Sequence, residues 1–110
     1  MGISKTIQLS DTHNRLTVML KALGHPARLA IIEHLRKVNT CICNDFVNEL
    51  PLAQPTISQH LKELKSAGLI EGSIEGNTIC YCINKEAIKE LDLYFQVLND
   101  NLKNTHFKCC

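Results

Sequence analysis

The stretch Gln54-Pro55-Thr56-Ile57-Ser58-Gln59-His60-Leu61-Lys62-Glu63-Leu64-Lys65-Ser66-Ala67-Gly68 decides how the rest of this chain is read. Pro55 suits the first helical turn, where its missing N–H costs nothing and its φ is already helical. Gly68 suits the position just past the end. Between them Ile57, Leu61 and Leu64 recur at i, i+4 and i+7 and form one apolar stripe. Thr56, Ser58, Gln59, Lys62, Lys65 and Ser66 fill the remaining surface, which is polar but scarcely acidic. Taken alone, this is a solvated amphipathic helix. Gln and Ser can also read base edges, and Lys can meet phosphate, so the same helix has the chemistry of a groove reader.

The flanking residues choose between those readings. Upstream, Phe46, Val47 and Leu50 give a short helix over roughly Cys43–Leu50, which Pro51 stops, and Leu52-Ala53 bridges to Gln54. A short helix, a tight turn and a longer amphipathic helix form a helix-turn-helix, whose second helix enters the major groove. Downstream, Glu75-Gly76-Asn77 is a turn, and Thr78–Asn84 alternates with Ile79, Tyr81 and Ile83 on one face. A β-hairpin in that place is a wing. The expected DNA-facing set is Gln54, Thr56, Ser58, Gln59, His60, Lys62 and Lys65, with Asn77 at the wing tip.

Further out, residues 1–10 have no clear period and read as an arm. From Asp11 or Thr12, either an acceptable N-cap, Leu16, Met19, Leu20 and Leu23 mark a first helix that Gly24 closes. Pro26 opens a second helix, running to about Lys37, whose broad apolar face is Leu29, Ile32 and Leu35 with Ala30 and Ile31. The last element, Lys85 to about Lys103, carries Ile88, Leu91, Phe95, Leu98 and Leu102 at spacings of three and four. So long a stripe has no evident cover within a small domain. A partner subunit is the expected cover, with Leu16 and Leu20 of the first helix alongside; packing on its own domain is the competing reading. The expected fold is mainly α with a small β-hairpin: a winged helix-turn-helix in the order α-α-α-α-β-β-α, dimerising through its terminal helices. One domain is expected over residues 1–110, with a cysteine-containing tail at 104–110.

Length and composition agree with a small globular domain. The chain has 110 residues, 45% hydrophobic and 21% charged, enough to bury a core without covalent staples. Its net charge of +1 does not by itself announce a nucleic-acid partner, so any DNA affinity must come from local arrangement, doubled by dimerisation. The run Leu29-Ala30-Ile31-Ile32 is far too short to span a bilayer, and Lys5, Thr6 and Gln8 interrupt any signal core. A soluble, cytoplasmic protein with no membrane partner is expected. The lipidation-like ends, Met1-Gly2 with Thr6 and Cys109-Cys110, have nothing else in the chain to support them.

Six cysteines fall in three pairs, Cys41/Cys43, Cys80/Cys82 and Cys109/Cys110. In a cytosolic chain clustered thiols point to metal binding or redox chemistry rather than to a structural disulfide framework. Thiolates are soft ligands suited to As(III), Sb(III), Cd(II), Pb(II) or Cu(I). Cys41 and Cys43, at i and i+2, do not share a face of a regular helix but converge where the chain is extended or bent. Cys80 and Cys82 share a side of their strand opposite Ile79, Tyr81 and Ile83, which puts both in solvent if that trio faces the core. Accidental surface thiols and a secondary soft-metal site are both open for them. No oxyanion or acid–base constellation suggests an enzyme, and no catalytic cofactor is expected.

Ala22-Leu23-Gly24-His25-Pro26-Ala27-Arg28-Leu29 resembles the entry signature of the ArsR/SmtB family of winged-helix repressors. Gln54-Pro55-Thr56-Ile57-Ser58-Gln59-His60-Leu61, followed by Leu64 and Gly68-Leu69-Ile70, is similar to that family's recognition helix. Cys41-Ile42-Cys43-Asn44-Asp45 resembles the cysteine motif of its arsenic- and cadmium-sensing branches, and the likeness covers about residues 11–103. It implies a homodimer that represses a double-stranded operator and releases it when an inducer binds. Cys41 and Cys43 are then the implied ligands of As(III) or another thiophilic ion. A third sulfur from Cys109 or Cys110, or a separate site at those two, stays open. Two departures stand out. The wing tip Glu75-Gly76-Asn77 lacks the family's frequent Arg or Lys, and residues 85–103 contain no His for a zinc site of the family's usual type. One thiol near residue 41 and one near the terminus also resemble the family's persulfide and redox sensors. From another class, a winged-helix interaction module without DNA binding is the alternative that the +1 charge and acidic wing tip favour.

Overall fold

The computed structural model describes residues 10–38, 42–43, 53–75 and 78–103, and among these the side chains of all but residues 38, 42, 43, 54, 75 and 78. Helices α1 (Asp11–Leu23) and α2 (Pro26–Val38) lead to a two-residue strand β1 (Ile42–Cys43). Helix α3 (Gln54–Ser66), strands β2 (Ile70–Glu75) and β3 (Thr78–Ile83), and the long helix α4 (Lys85–Lys103) follow. This is the expected fold class, a mainly α winged helix-turn-helix with a β-hairpin wing.

The local signals explain most element ends. Ser10, one residue before the expected cap, closes the start of α1: its hydroxyl accepts from the His13 N–H at 3.2 Å. Pro55 sits in the first turn of α3. At the other end of α3, the Leu69 N–H donates to the Leu64 carbonyl and the Gly68 N–H to the Lys65 carbonyl, both at 3.0 Å. Gly68 has φ +83°. Those paired bonds with a left-handed glycine are the Schellman ending, and its usual hydrophobic contact partners, Leu64 and Leu69, are both fully buried.

One core gathers the stripes of the helices. Ile31 and Leu35 of α2, Ile57, Leu61 and Leu64 of α3, and Leu69 and Ile70 at the entry to β2 are at most 5% exposed. Burial of each such side chain contributes about 1.5–3 kcal/mol. The face of α2 is narrower than expected, since Leu29 is 50% exposed and Ile31/Leu35, at i and i+4, form the buried line. Leu16 and Leu91, expected at a dimer interface, belong instead to this core at 7% exposure each, because the start of α4 packs on α1. The Arg15–Glu90 ion pair, 3.2 Å long and exposed, spans that contact. Leu20, Ile88, Phe95, Leu98 and Leu102 remain exposed, as do Val18, Leu93 and Val97.

The sheet has the order β1-β3-β2, antiparallel throughout. Cys43 therefore begins no helix: it is a strand residue, in register with Cys80, as Ile42 is with Tyr81. The rest of the short helix expected before α3 lies outside the described residues. A two-residue strand exists only because β3 offers a free edge for it, so the wing sheet is wider than a hairpin.

Candidate nucleic-acid interface and cysteine cluster

Because Ile57, Leu61 and Leu64 anchor α3 in the core, the residues between them point away from it. Thr56, Ser58, Gln59, Lys62 and Lys65 are all exposed. Gln59 donates along the helix to the Glu63 carboxylate at 2.9 Å, a bond that a ligand at this face would compete with. The side chain of Gln54 and all of Asn77 lie outside the described residues. Helix α3 thus presents hydroxyl, amide and ammonium groups on one convex ridge, the chemistry that meets base edges and phosphates.

His60 does not belong to that ridge. It is 8% exposed, its Nδ1 accepts from the Arg28 Nε at 3.2 Å, and its ring lies 4.4 Å from that of His25 at 47°. Position 60 is three residues after Ile57 and four before Leu64, on the buried stripe, and that spacing is the signal that assigns it inward. Burial first, then the neighbouring His25 and the Arg28 guanidinium, hold its pKa below the usual imidazole value, against a smaller opposite pull from Glu63. The ring is held neutral, with Nδ1 as acceptor. Arg28 also donates to the Ala22 carbonyl at 3.4 Å. One guanidinium so ties α1, α2 and α3 together and fixes the angle at which α3 stands out. Arg28 had no assigned role in the sequence, where its trace is membership of the stretch Ala22–Leu29 that resembles the family's entry signature.

A second tie fixes the far end of α3. The Asn84 side-chain amide donates to the Gly68 carbonyl and its backbone N–H to the Leu69 carbonyl, both at 2.9 Å, while its side-chain oxygen accepts from the Glu86 N–H at 3.1 Å. One residue caps α4 and holds the wing's last strand against the end of α3.

Of the expected metal ligands, Cys41, Cys109 and Cys110 lie outside the described residues, and Cys43 is described by its backbone alone. Cys80, expected in solvent, is 2% exposed, and Cys82 is half-buried; both are disulfide-bonded. The expectation assumed a two-stranded wing with a wet face. Strand β3 is instead the middle strand of three, and each of its two thiols has another sulfur bonded to it. Tyr81 and Ile83 pack against the core as expected, although Ile79 is 37% exposed. Among the described side chains no group of three His, Cys, Asp or Glu converges in a way that would hold a metal ion. No described helix is long and apolar enough to cross a membrane.

Comparison with known proteins places this geometry. Residues 25–71 match the profile of the bacterial regulatory protein, arsR family. The transcriptional repressor SmtB of Mycobacterium tuberculosis is 41% identical over 63 residues, 57% of this chain and 46% of that protein, so the chain spans about half the length of that relative. The arsenical resistance operon repressor of Staphylococcus xylosus is 30% identical over 80% of this chain and 84% of its own length. Among solved structures, the homodimeric winged helix-turn-helix DNA-binding domain of a possible ArsR-family regulator from Mycobacterium bovis has a TM-score of 0.63. That match covers 94% of this chain and all of the other at 24% identity, a likeness of fold. With the matched profile running from the Arg28–His60 tie through α3 into the wing, and a relative matched over most of both chains, this protein belongs to the ArsR family.

Proposed function

We propose that the chain is a homodimeric, cytoplasmic transcriptional repressor. It inserts α3 into the major groove of double-stranded operator DNA and lets go when a thiophilic metalloid or metal, As(III) or Sb(III) first, binds cysteine thiolates. The observation that carries this reading is the ridge of Thr56, Ser58, Gln59, Lys62 and Lys65, exposed together on a helix braced at both ends. Gln54 and Asn77 extend the set in sequence. Exposed Leu20, Ile88, Phe95, Leu98 and Leu102 on α1 and α4 support a second copy as their cover. The repressor names of both relatives support the regulatory role, and the arsenical resistance operon named for the second supports a soft inducer. Cys41 and Cys43 are the proposed first ligands, with Cys109 and Cys110 as tail thiols. Thiols lose their protons on binding, and a change beside β1 lies about ten residues upstream of α3.

A promoter fragment titrated at two salt concentrations tests the DNA half: binding should weaken steeply as salt rises, because each lysine–phosphate contact releases counterions. Salt-independent or absent binding leaves only the interaction-module reading. Release is then followed with As(III), Cd(II), Zn(II) and a persulfide donor. The persulfide or redox reading, with one thiol near residue 41 and one near the terminus, draws support from the disulfide-bonded state of Cys80 and Cys82, which shows thiols of this chain within bonding reach of one another. Release by the persulfide donor and not by As(III) selects it.

A further inference from the structure

A three-coordinate metalloid needs three sulfurs, and the cysteine motif before α3 supplies two. Strand β3 carries two more that the family motif does not include. The β1–β3 register sets Cys43 opposite Cys80, and positions opposite one another in an antiparallel pair belong to the same face of the sheet. Cys82, two residues along β3, returns to that face. Residues 43, 80 and 82 therefore occupy one corner of one face. The β2 partners of the two β3 cysteines, Ser73 and Glu71, are exposed and polar, whereas Tyr81 and Ile83 of the opposite face pack on the core. Independently of the register, Cys80 and Cys82 are both disulfide-bonded, so each sulfur lies within bonding reach of another sulfur of the chain. Cys80 is 2% exposed on a face where its β2 partner Ser73 is exposed.

We propose that β3 contributes ligands to the inducer site, with Cys43, Cys80 and Cys82 forming a three-thiolate seat for a trivalent thiophilic metalloid. The proposal rests on the thiophilic-inducer reading above and deepens it by drawing the third sulfur from the wing rather than from the tail. In the reducing state, two equivalents of a low-molecular-weight thiol reduce a disulfide: the protein S–S bond breaks, the two thiol protons pass to the two protein sulfurs, and the two small-molecule sulfurs join in one disulfide. Arsenous acid then reacts with three thiols: three As–O bonds break, three As–S bonds form, and each thiol proton leaves with a hydroxide as water. Arsenic stays trivalent, so no oxidant is consumed. The complex would clamp β1 to β3, and β1 leads toward α3.

The test uses the reduced full chain and arsenite, reading the ultraviolet sulfur-to-arsenic absorption as binding and operator release as function. Cys82→Ser and Cys80→Ser should each weaken arsenite binding roughly tenfold or more and lower the absorption at saturation. Circular dichroism identifies a variant that has lost its fold; if buried Cys80→Ser does, the half-buried Cys82→Ser decides. Wild-type affinity and absorption in the folded variants overturn the wing ligands. Arsenite that binds wild type without releasing DNA overturns only the repressor switch, and no binding to wild type overturns both.

Discussion

Helices α3 and α4 are both amphipathic, and their difference lies in what covers the apolar stripe. In α3, Ile57, Leu61 and Leu64 are 0–5% exposed and the whole stripe is used by the chain's own core. In α4 only Ala87 and Leu91 are buried; Leu93, Phe95, Val97, Leu98 and Leu102 lie between 41% and 62% exposed. A fully covered stripe frees the opposite face for a ligand. An uncovered one calls for a partner, so α3 reads outward with its polar side and α4 with its apolar side.

The largest effect should come from cutting into the covered stripe. Leu64→Ala removes a fully buried side chain that also closes the Schellman ending, and should cost about 2–5 kcal/mol in denaturant unfolding. Leu98→Ala, on the bare half of α4, should cost far less when measured on the dissociated chain. Equal losses would mean that α4 is covered within the protomer and would erase the contrast.

Charge placed on the bare stripe is the complementary cut. Phe95→Asp combined with Leu98→Asp should weaken self-association by roughly tenfold or more, or about 1.4 kcal/mol, with helix content retained. Sedimentation velocity across a dilution series reads it. A double variant that sediments as wild type would mean that the exposed face of α4 is not an interface between copies.

A smaller effect isolates the end of α3. Gly68 has φ +83°, and nothing lies within 4 Å of where a Cβ would stand. Gly68→Ala should therefore cost only the left-handed backbone strain, about 1–2 kcal/mol. A larger loss in thermal unfolding would mean that the Asn84 tie to the Gly68 carbonyl had failed as well.

These residues also mark what could be read without coordinates. The bounds of α3 were legible because Pro55 and Gly68 act locally, and the wing hairpin because its period is its own. Strand β1 was not: two residues carry no period, and Ile42–Cys43 is a strand only because the edge of β3, some forty residues on, is there to receive it. The same non-local fact hid the burial of Cys80. The exposure of the polar ridge of α3 was legible residue by residue except at His60, which was expected among the DNA-facing residues and is buried at 8% exposure. Arg28, which decides the matter by donating to its ring, lies on another helix.

That inward histidine yields the most delicate test of the contrast, since with Arg28 it braces α3 against α1 and α2. His60 has a folded-state pKa below the ordinary 6.5, caused first by burial and then by His25 and Arg28, against Glu63. Above 6.5 the ring is neutral in both folded and unfolded chains, and the stability of the neutral, Arg28-bonded ring is fully present. As pH falls through 6.5 the unfolded chain takes up a proton that the folded chain refuses. Stability drops until the native ring protonates at its lower value, where the loss is complete. Protonation at Nδ1 would also turn an acceptor into a donor facing the guanidinium, breaking the 3.2 Å bond. Unfolding free energy followed from about pH 8 to pH 5 should fall more steeply for wild type than for His60→Gln, whose amide does not titrate. Parallel curves would show that His60 carries no linked proton, and would leave the brace on α3 to Arg28 and the Ala22 carbonyl alone.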